Sequence, residues 1–185
     1  RDLNRFLKIK MINKKIDLVI REVPDFPKLG INFKDITTVL LDQELSSEII
    51  DTFINRLKGK KIDAIVGVES RGFLFGFLLA NKMGIPFIPI RKSGKLPGKT
   101  LRCKYDLEYG SAEVEVHKSD IKKGWNVVVH DDLLATGGTA CAVSELMKKL
   151  EVKIVAFAFI ISLDFLNGNK KIEQYSKEII SLKRY

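Results

Sequence analysis

The run HDDLLATGGTA, His130 to Ala140, sets two carboxylates, Asp131 and Asp132, just ahead of Thr136-Gly137-Gly138-Thr139. The two halves suit opposite partners. Ionised carboxylates only accept hydrogen bonds, so they repel an anion. Gly137 and Gly138 instead let the backbone turn sharply and approach a ligand with no Cβ in the way. The N–H groups of residues 135 to 139, Ala135 to Thr139, together with the Thr136 and Thr139 hydroxyls, then form a nest suited to a terminal phosphate. A strand-to-helix turn with Thr139 as N-cap is the simpler alternative. A cap, however, does not call for two acids, two glycines and two threonines together.

One ligand satisfies both halves if its hydroxyls lie about one sugar ring from its phosphate. A ribose 5-phosphate does so, with its vicinal diol on Asp131 and Asp132 and its phosphate in the nest. The acids would also stabilise positive charge developing at the ribose C1.

Two further loops follow apolar runs. In VESRGF, Arg71 and Gly72 open a helix, where free backbone N–H groups favour an anion and Arg71 adds a forked, charge-assisted contact. A plain strand-to-helix turn remains open there. RKSGKLPGKT, Arg91 to Thr100, misses the phosphate-binding signature of nucleoside triphosphatases only by Ser93. That signature must open a helix, whereas LRCKYDLEY carries little helical periodicity and Pro97 interrupts the cradle. The triphosphatase reading is therefore set aside. A basic surface loop and a grip on an anionic leaving group by Arg91, Lys92 and Lys95 both remain.

These loops need a scaffold. Periodicity predicts helices over Ile16 to Glu22, Glu44 to Lys58, Gly72 to Met83 and Thr139 to Leu150. It predicts strands over Ile62 to Val68, Pro86 to Arg91, Val127 to Val129 and Val152 to Leu163. VPDFPKLGINF, with Pro24, Pro27 and Gly30, excludes a long regular element. Strands alternating with helices give an α/β fold, a mainly parallel sheet flanked by helices. Ligands in such sheets bind beyond the carboxyl ends of the strands. Leu101 to His117 departs from the alternation, since AEVEV has period two; it reads as an antiparallel hairpin projecting from the sheet, turning near Gly110-Ser111 and mobile enough to act as a lid. The chain is expected to be a single domain over residues 1–185, with a flexible hairpin at about 97–118.

Composition limits the alternatives. Over 185 residues, 45% are hydrophobic and 30% charged, a soluble globular profile. No apolar run reaches the roughly 20 residues that span a bilayer. The basic start RDLNRFLKIKMINKK lacks the apolar centre of a secretory signal, and Met11 is either an internal start or an ordinary methionine. Two separated cysteines, Cys103 and Cys141, suggest neither a disulfide framework nor a zinc site, which fits a reducing cytoplasm. The formal charge of +9 raises the question of nucleic acid. The lysines are scattered and no nucleic-acid-binding signature accompanies them, so a solvated basic surface is preferred.

Apolar strand, Asp-Asp and Thr-Gly-Gly-Thr together resemble the 5-phosphoribosyl-1-pyrophosphate (PRPP) motif of type I phosphoribosyltransferases. VPDFPKLGINFKDI, VESRGFLFG, IRKSGKLPG, YDLEYGSAEVEVHK and VVVHDDLLATGGTA follow in order. Together they resemble the adenine phosphoribosyltransferases from about Val23 onward. The resemblance implies transfer of ribose 5-phosphate from PRPP to N9 of adenine, giving AMP and pyrophosphate with Mg²⁺, in purine salvage. The metal would be held mainly by PRPP and pyrophosphate, with no direct protein ligand.

By the same resemblance Ala135, Thr136, Gly137, Gly138 and Thr139 would bind the 5′-phosphate, and Asp131 and Asp132 the ribose. Glu69, Ser70, Arg71, Arg91, Lys92 and Lys95 would serve the pyrophosphate, with a cis peptide between Glu69 and Ser70. Glu108 matches the family's general acid/base, or is one more acid on the hairpin, and Tyr109 helps the lid to close. A small N-terminal hood at about 11–40 would cover the base, which packs between Phe33 and Leu133, near Asn32 and Lys34. Lys34 stands where the family has Arg, losing a planar fork, and Asn32 where it has an apolar residue. His130 replaces an aliphatic residue and is given no role. A homodimer is also implied. Two other functions stay open: transfer to a different purine base, and a PRPP-sensing regulator that binds nucleic acid.

Overall fold

The computed structural model describes residues 2–26, 28–106 and 111–185, with the backbone alone for 2–10 and Asp106. Two compact units are distinguished, Arg1–Thr52 and Phe53–Tyr185; the expected hood falls inside the first.

The first unit begins with helix α1, Asp2–Val19. This differs from the short helix expected over Ile16 to Glu22. The early residues show no clean amphipathic period, which is why the pattern missed them. From residue 11 onward the helix is anchored by Ile12 and Ile16, one turn apart, and Ile20 continues the buried stripe just past its end. Glu22 lies instead in β1, Arg21–Val23, which pairs antiparallel with β2, Phe33–Asp35. Asp35 caps a 3₁₀ turn over Ile36–Leu41 by accepting the Thr37 N–H at 2.9 Å. Asp42 accepts the Leu45 N–H at 2.8 Å at the start of α2, Gln43–Leu57. On that helix Leu45, Ile49, Ile50, Phe53 and Leu57 are buried, as their spacing predicts.

In the second unit the chain alternates between strands and helices. The strands are β3 (Ala64–Val68), β4 (Phe87–Lys92), β5 (Thr100–Asp106), β6 (Ser111–His117), β7 (Asn126–Leu134), β8 (Lys153–Ser162) and β9 (Ile179–Arg184). They form one seven-stranded sheet in the order β5-β6-β4-β3-β7-β8-β9. Pairings β3/β4, β3/β7, β7/β8 and β8/β9 are parallel. Helices α3 (Gly72–Met83), α4 (Gly138–Lys149) and the short α5 (Gly168–Ile172) complete the unit. The central strands are apolar almost throughout because both faces are covered. Their side chains join Val143, Leu146 and Met147 of α4 in the core.

Three details depart from the sequence reading. β7 continues past Val129 to Leu134, so both acids sit within the strand rather than after it. β8 supplies a ladder partner as far as Leu134↔Ser162, and that pairing is not visible in a local pattern. The terminal strand β9 and α5 were not anticipated. Strands β5 and β6 pair antiparallel as expected, from Thr100↔His117 to Asp106↔Ser111, but they do not simply project from the sheet: β6 joins it through Arg91↔Glu115 and Lys92↔Val114.

Candidate active site

The carboxyl-end segments of the parallel strands β3, β4 and β7, with the turn after β3, surround a cavity of about 270 Å³. It is lined by Glu69, Ser70, Arg71, Lys92, Asp131, Asp132 and Leu133. Three segments far apart in sequence are thereby brought together. The Glu69–Ser70 peptide is cis. Close packing sets the wall: a Cβ on Gly72, first residue of α3, would lie 2.9 Å from an Asp131 carboxylate oxygen and 3.0 Å from the His130 carbonyl. Only glycine lets this helix start so near the acid pair.

The two acids differ electrostatically. Asp132 is 4% exposed, and its Oδ2 accepts a 2.5 Å hydrogen bond from Arg71 Nε. The Asp132 N–H turns onto Asp131 Oδ1 at 2.8 Å. Burial, and then the neighbouring Asp132 charge, push the Asp131 carboxyl well above its usual range. The sequence alone puts two equivalent acids at the ribose; the structure pairs one, Asp132, with Arg71 and raises the pKa of the other, Asp131.

Glu69 does not present its carboxylate to the cavity alone. Its oxygens take the Arg91 Nε at 3.1 Å, the Arg91 Nη2 at 3.2 Å and the Lys92 N–H at 2.9 Å. Arg91 chiefly holds this acid below the usual carboxylate range. Glu69 is therefore a positioning group for two cations.

The basic loop is shaped by Glu115 of β6, a fully buried carboxylate. One oxygen accepts the Lys95 and Leu96 N–H groups, both at 2.8 Å; the other accepts the Thr100 hydroxyl at 3.0 Å and pairs with Arg102 Nε at 3.1 Å. Burial works to raise its pKa, but these contacts, Leu96 foremost, bring it below the usual range. Backbone donors that a triphosphatase loop would offer to phosphate are thus occupied by an internal acid. A strand, not a helix, follows the loop.

The glycine-rich run forms the expected turn into α4. Gly137 is the N-cap in the left-handed region at φ 81°, a place the sequence reading had offered to Thr139. The Thr139 hydroxyl donates to the Tyr105 hydroxyl at 3.3 Å, linking α4 to β5. Gly168 packs against this turn.

His130 is fully buried next to the acids, edge-on to Phe53 with ring centroids 5.6 Å apart. Burial lowers its pKa to about 4, with Asp132 and the Ala158 carbonyl opposing.

Among the other expected residues, Glu108 and Tyr109 lie outside the described residues. Asn32, Phe33 and Lys34 belong to the first unit. Phe33 meets Phe26 edge-on at 5.2 Å, Asn32 donates to Glu22 at 2.8 Å, and the Lys34 ammonium donates to the same carboxylate. Glu115, Tyr105 and Gly168 were missed. Only the Glu115 position, inward-facing in AEVEV, left a trace in the pattern, as a charge on a strand. Among the described residues no group of three or more His, Cys, Asp or Glu gathers as a metal cage, and no helix is long and apolar enough to cross a membrane.

The phosphoribosyl transferase domain matches residues 38–183. An adenine phosphoribosyltransferase of Clostridium botulinum strain Hall is 52% identical over 166 residues, covering 90% of this chain and 95% of that protein. The chain belongs to the adenine phosphoribosyltransferase family. Solved adenine phosphoribosyltransferases share its fold. The Thermoanaerobacter pseudethanolicus protein superposes with a TM-score of 0.89 at 46% identity, covering 93% of this chain and 99% of that one. The Saccharomyces cerevisiae protein, complexed with D-2,5-dideoxy-2,5-imino-altritol 1,6-bisphosphate and adenine, has a TM-score of 0.88 at 39% identity, covering 94% and 99%.

Proposed function

We propose that this protein transfers the 5-phosphoribosyl group of PRPP to N9 of adenine, releasing AMP and pyrophosphate, as a purine-salvage enzyme of the cytoplasm. The observation that carries the reading is the convergence of Glu69–Arg71, Lys92 and Asp131–Leu133 on one cavity, next to the glycine-rich start of α4. Cations and acids lie where a phosphorylated sugar needs both. Family membership supports adenine as the acceptor.

In this reading residues 135–139 hold the 5′-phosphate, Asp131 and Asp132 the ribose hydroxyls, and Arg71, Arg91, Lys92 and Lys95 the leaving pyrophosphate. The C1–N9 bond forms as the C1–oxygen bond to pyrophosphate breaks. Glu108 takes the proton from N9, and Tyr109 helps to exclude water. Leu133, which lines the cavity, packs against the base; Asn32, Phe33 and Lys34 are carried over from the family as base-recognising residues. The residues at the cavity fit a metal brought in on PRPP: Asp132 is paired with Arg71 and Asp131 is assigned to the ribose, so Mg²⁺ would keep substrate phosphates and water as its ligands. When bound, Mg²⁺ neutralises charge on the departing pyrophosphate.

A homodimer belongs to the same reading. Leu74, Phe77 and Leu78 of α3 are 43%, 55% and 45% exposed at helical spacing, an apolar face suited to a second copy.

The deciding assay supplies PRPP and Mg²⁺ with adenine, hypoxanthine or guanine in turn and follows nucleotide and pyrophosphate. AMP formation with adenine is expected. Turnover of another purine alone would reassign the acceptor, and PRPP binding without turnover would point to a sensor.

A further inference from the structure

Beyond the loops already assigned, a fourth segment reaches the proposed phosphate site. Leu163 donates its N–H to the Leu134 carbonyl at 2.9 Å, tying the end of β8 to the end of β7. The chain then turns through Asp164 and Asn167, which lies in the left-handed region at φ 56°, into Gly168. Asp164 anchors the turn from both sides. Its Oδ1 accepts the Ser162 hydroxyl at 2.7 Å and the Asn169 amide at 3.0 Å; its Oδ2 faces Arg184 at 3.6 Å; and its own N–H donates to the Tyr185 carbonyl at 2.9 Å.

The braced turn delivers Gly168 against the glycine-rich loop with no room to spare. A Cβ at 168 would collide with the Ala135 carbonyl oxygen and stand 3.1 Å from the Gly137 nitrogen. The contact is reciprocal, since a Cβ on Gly137 would stand 3.0 Å from the Gly168 carbonyl oxygen. The peptides touched are those whose N–H groups face the ligand in the reading above. Hydrogen bonds to phosphate weaken steeply as the donor tilts, so whatever fixes these peptide planes fixes anion affinity.

We propose that Gly168, held by Asp164 and Asn169, is a positioning residue for the 5′-phosphate, setting the backbone of residues 135–137 from behind. The proposal rests on the phosphoribosyl-transfer reading and adds a residue to its site. It predicts a selective defect: substitution at 168 disturbs the sugar-phosphate end and leaves the pyrophosphate end, built from Arg71, Arg91 and Lys92, as it was.

The test is calorimetric titration of the purified chain with ribose 5-phosphate and, separately, with pyrophosphate and Mg²⁺. Gly168→Ala is expected to weaken ribose 5-phosphate by about tenfold or more, the loss of one charge-assisted hydrogen bond, and to leave pyrophosphate affinity unchanged. Should Gly168→Ala fail to fold, Asp164→Ala loosens the same turn without added bulk and should shift affinity in the same selective sense. Unchanged ribose 5-phosphate affinity in a folded variant, or equal loss of both ligands, overturns the proposal while phosphoribosyl binding by the parent still stands. A parent protein that binds no ribose 5-phosphate overturns both.

Discussion

Arg71 and Asp132 are joined by a 2.5 Å hydrogen bond between Nε and Oδ2, although one is assigned to the pyrophosphate and the other to the ribose. In the structure the cation and the acid satisfy each other. In the proposed reaction that contact would give way to a ribose hydroxyl on the acid and a phosphate on the guanidinium.

Asp132→Asn tests this exchange. The variant loses a charged acceptor for the ribose but also releases Arg71 from its partner. PRPP affinity should fall by about tenfold, as expected for a hydrogen bond to a charged group. Pyrophosphate affinity should hold or rise. Titration calorimetry with each ligand separates the two; a parallel loss of both would show that the pair acts only as a structural brace.

Glu115→Gln should destabilise the fold and impair the basic loop. The amide keeps one oxygen for the Lys95 and Leu96 N–H groups but sets an NH2 against Arg102 Nε, a donor that needs the second carboxylate oxygen. A loss of about 3 kcal/mol is expected from disturbing a buried, multiply bonded carboxylate. Denaturant titration measures the stability. Kinetics should show a raised KM for PRPP, because Arg91 and Lys92 end the strand paired with β6 at Glu115, and Lys95 sits on the loop that Glu115 holds.

His130 makes the protein sensitive to acid. Its folded pKa of about 4 lies below the ordinary 6.5, so the unfolded chain takes up a proton that the folded one refuses. This contribution to stability is fully present above about pH 6.5 and is lost as pH falls through about 4, for a total of about 3 kcal/mol. Asp131 acts in the opposite direction, since its raised pKa favours the folded state at low pH and that benefit is lost as pH rises through its folded pKa. Replacing His130 with Leu should flatten the acid limb of a stability-versus-pH curve from urea melts; an unaltered limb would clear His130 of this role.

Glu108→Gln should lower turnover by about a hundredfold or more while PRPP affinity stays within a few-fold, as for loss of a general acid/base. Single-turnover kinetics alongside PRPP titration distinguishes this from a binding defect.

Phe77→Glu should convert the protein to monomer at concentrations where the parent is dimeric, because it puts a charge on the apolar face of α3. Sedimentation velocity over a dilution series gives the answer, and a dimer that persists would move the interface elsewhere.

The sequence by itself determined the parts of this protein that depend on near neighbours. Helices α2, α3 and α4 follow from apolar spacing and from Gly84 as a left-handed stop, and the hairpin over 100–117 from its alternation. HDDLLATGGTA announces its chemistry because its acids, glycines and hydroxyls lie within ten residues of one another. The tertiary structure decided what depends on partners distant in the chain. β7 extends through the acid pair because β8 pairs with it; Arg71 finds Asp132 across 61 positions; and the pKa of Asp131 and of His130 is set by burial that no local pattern encodes. Glu115 and Gly168 were hidden for the same reason. One looks like a surface acid and the other like a turn glycine until the loops they support, 15 to 33 positions away, are folded against them.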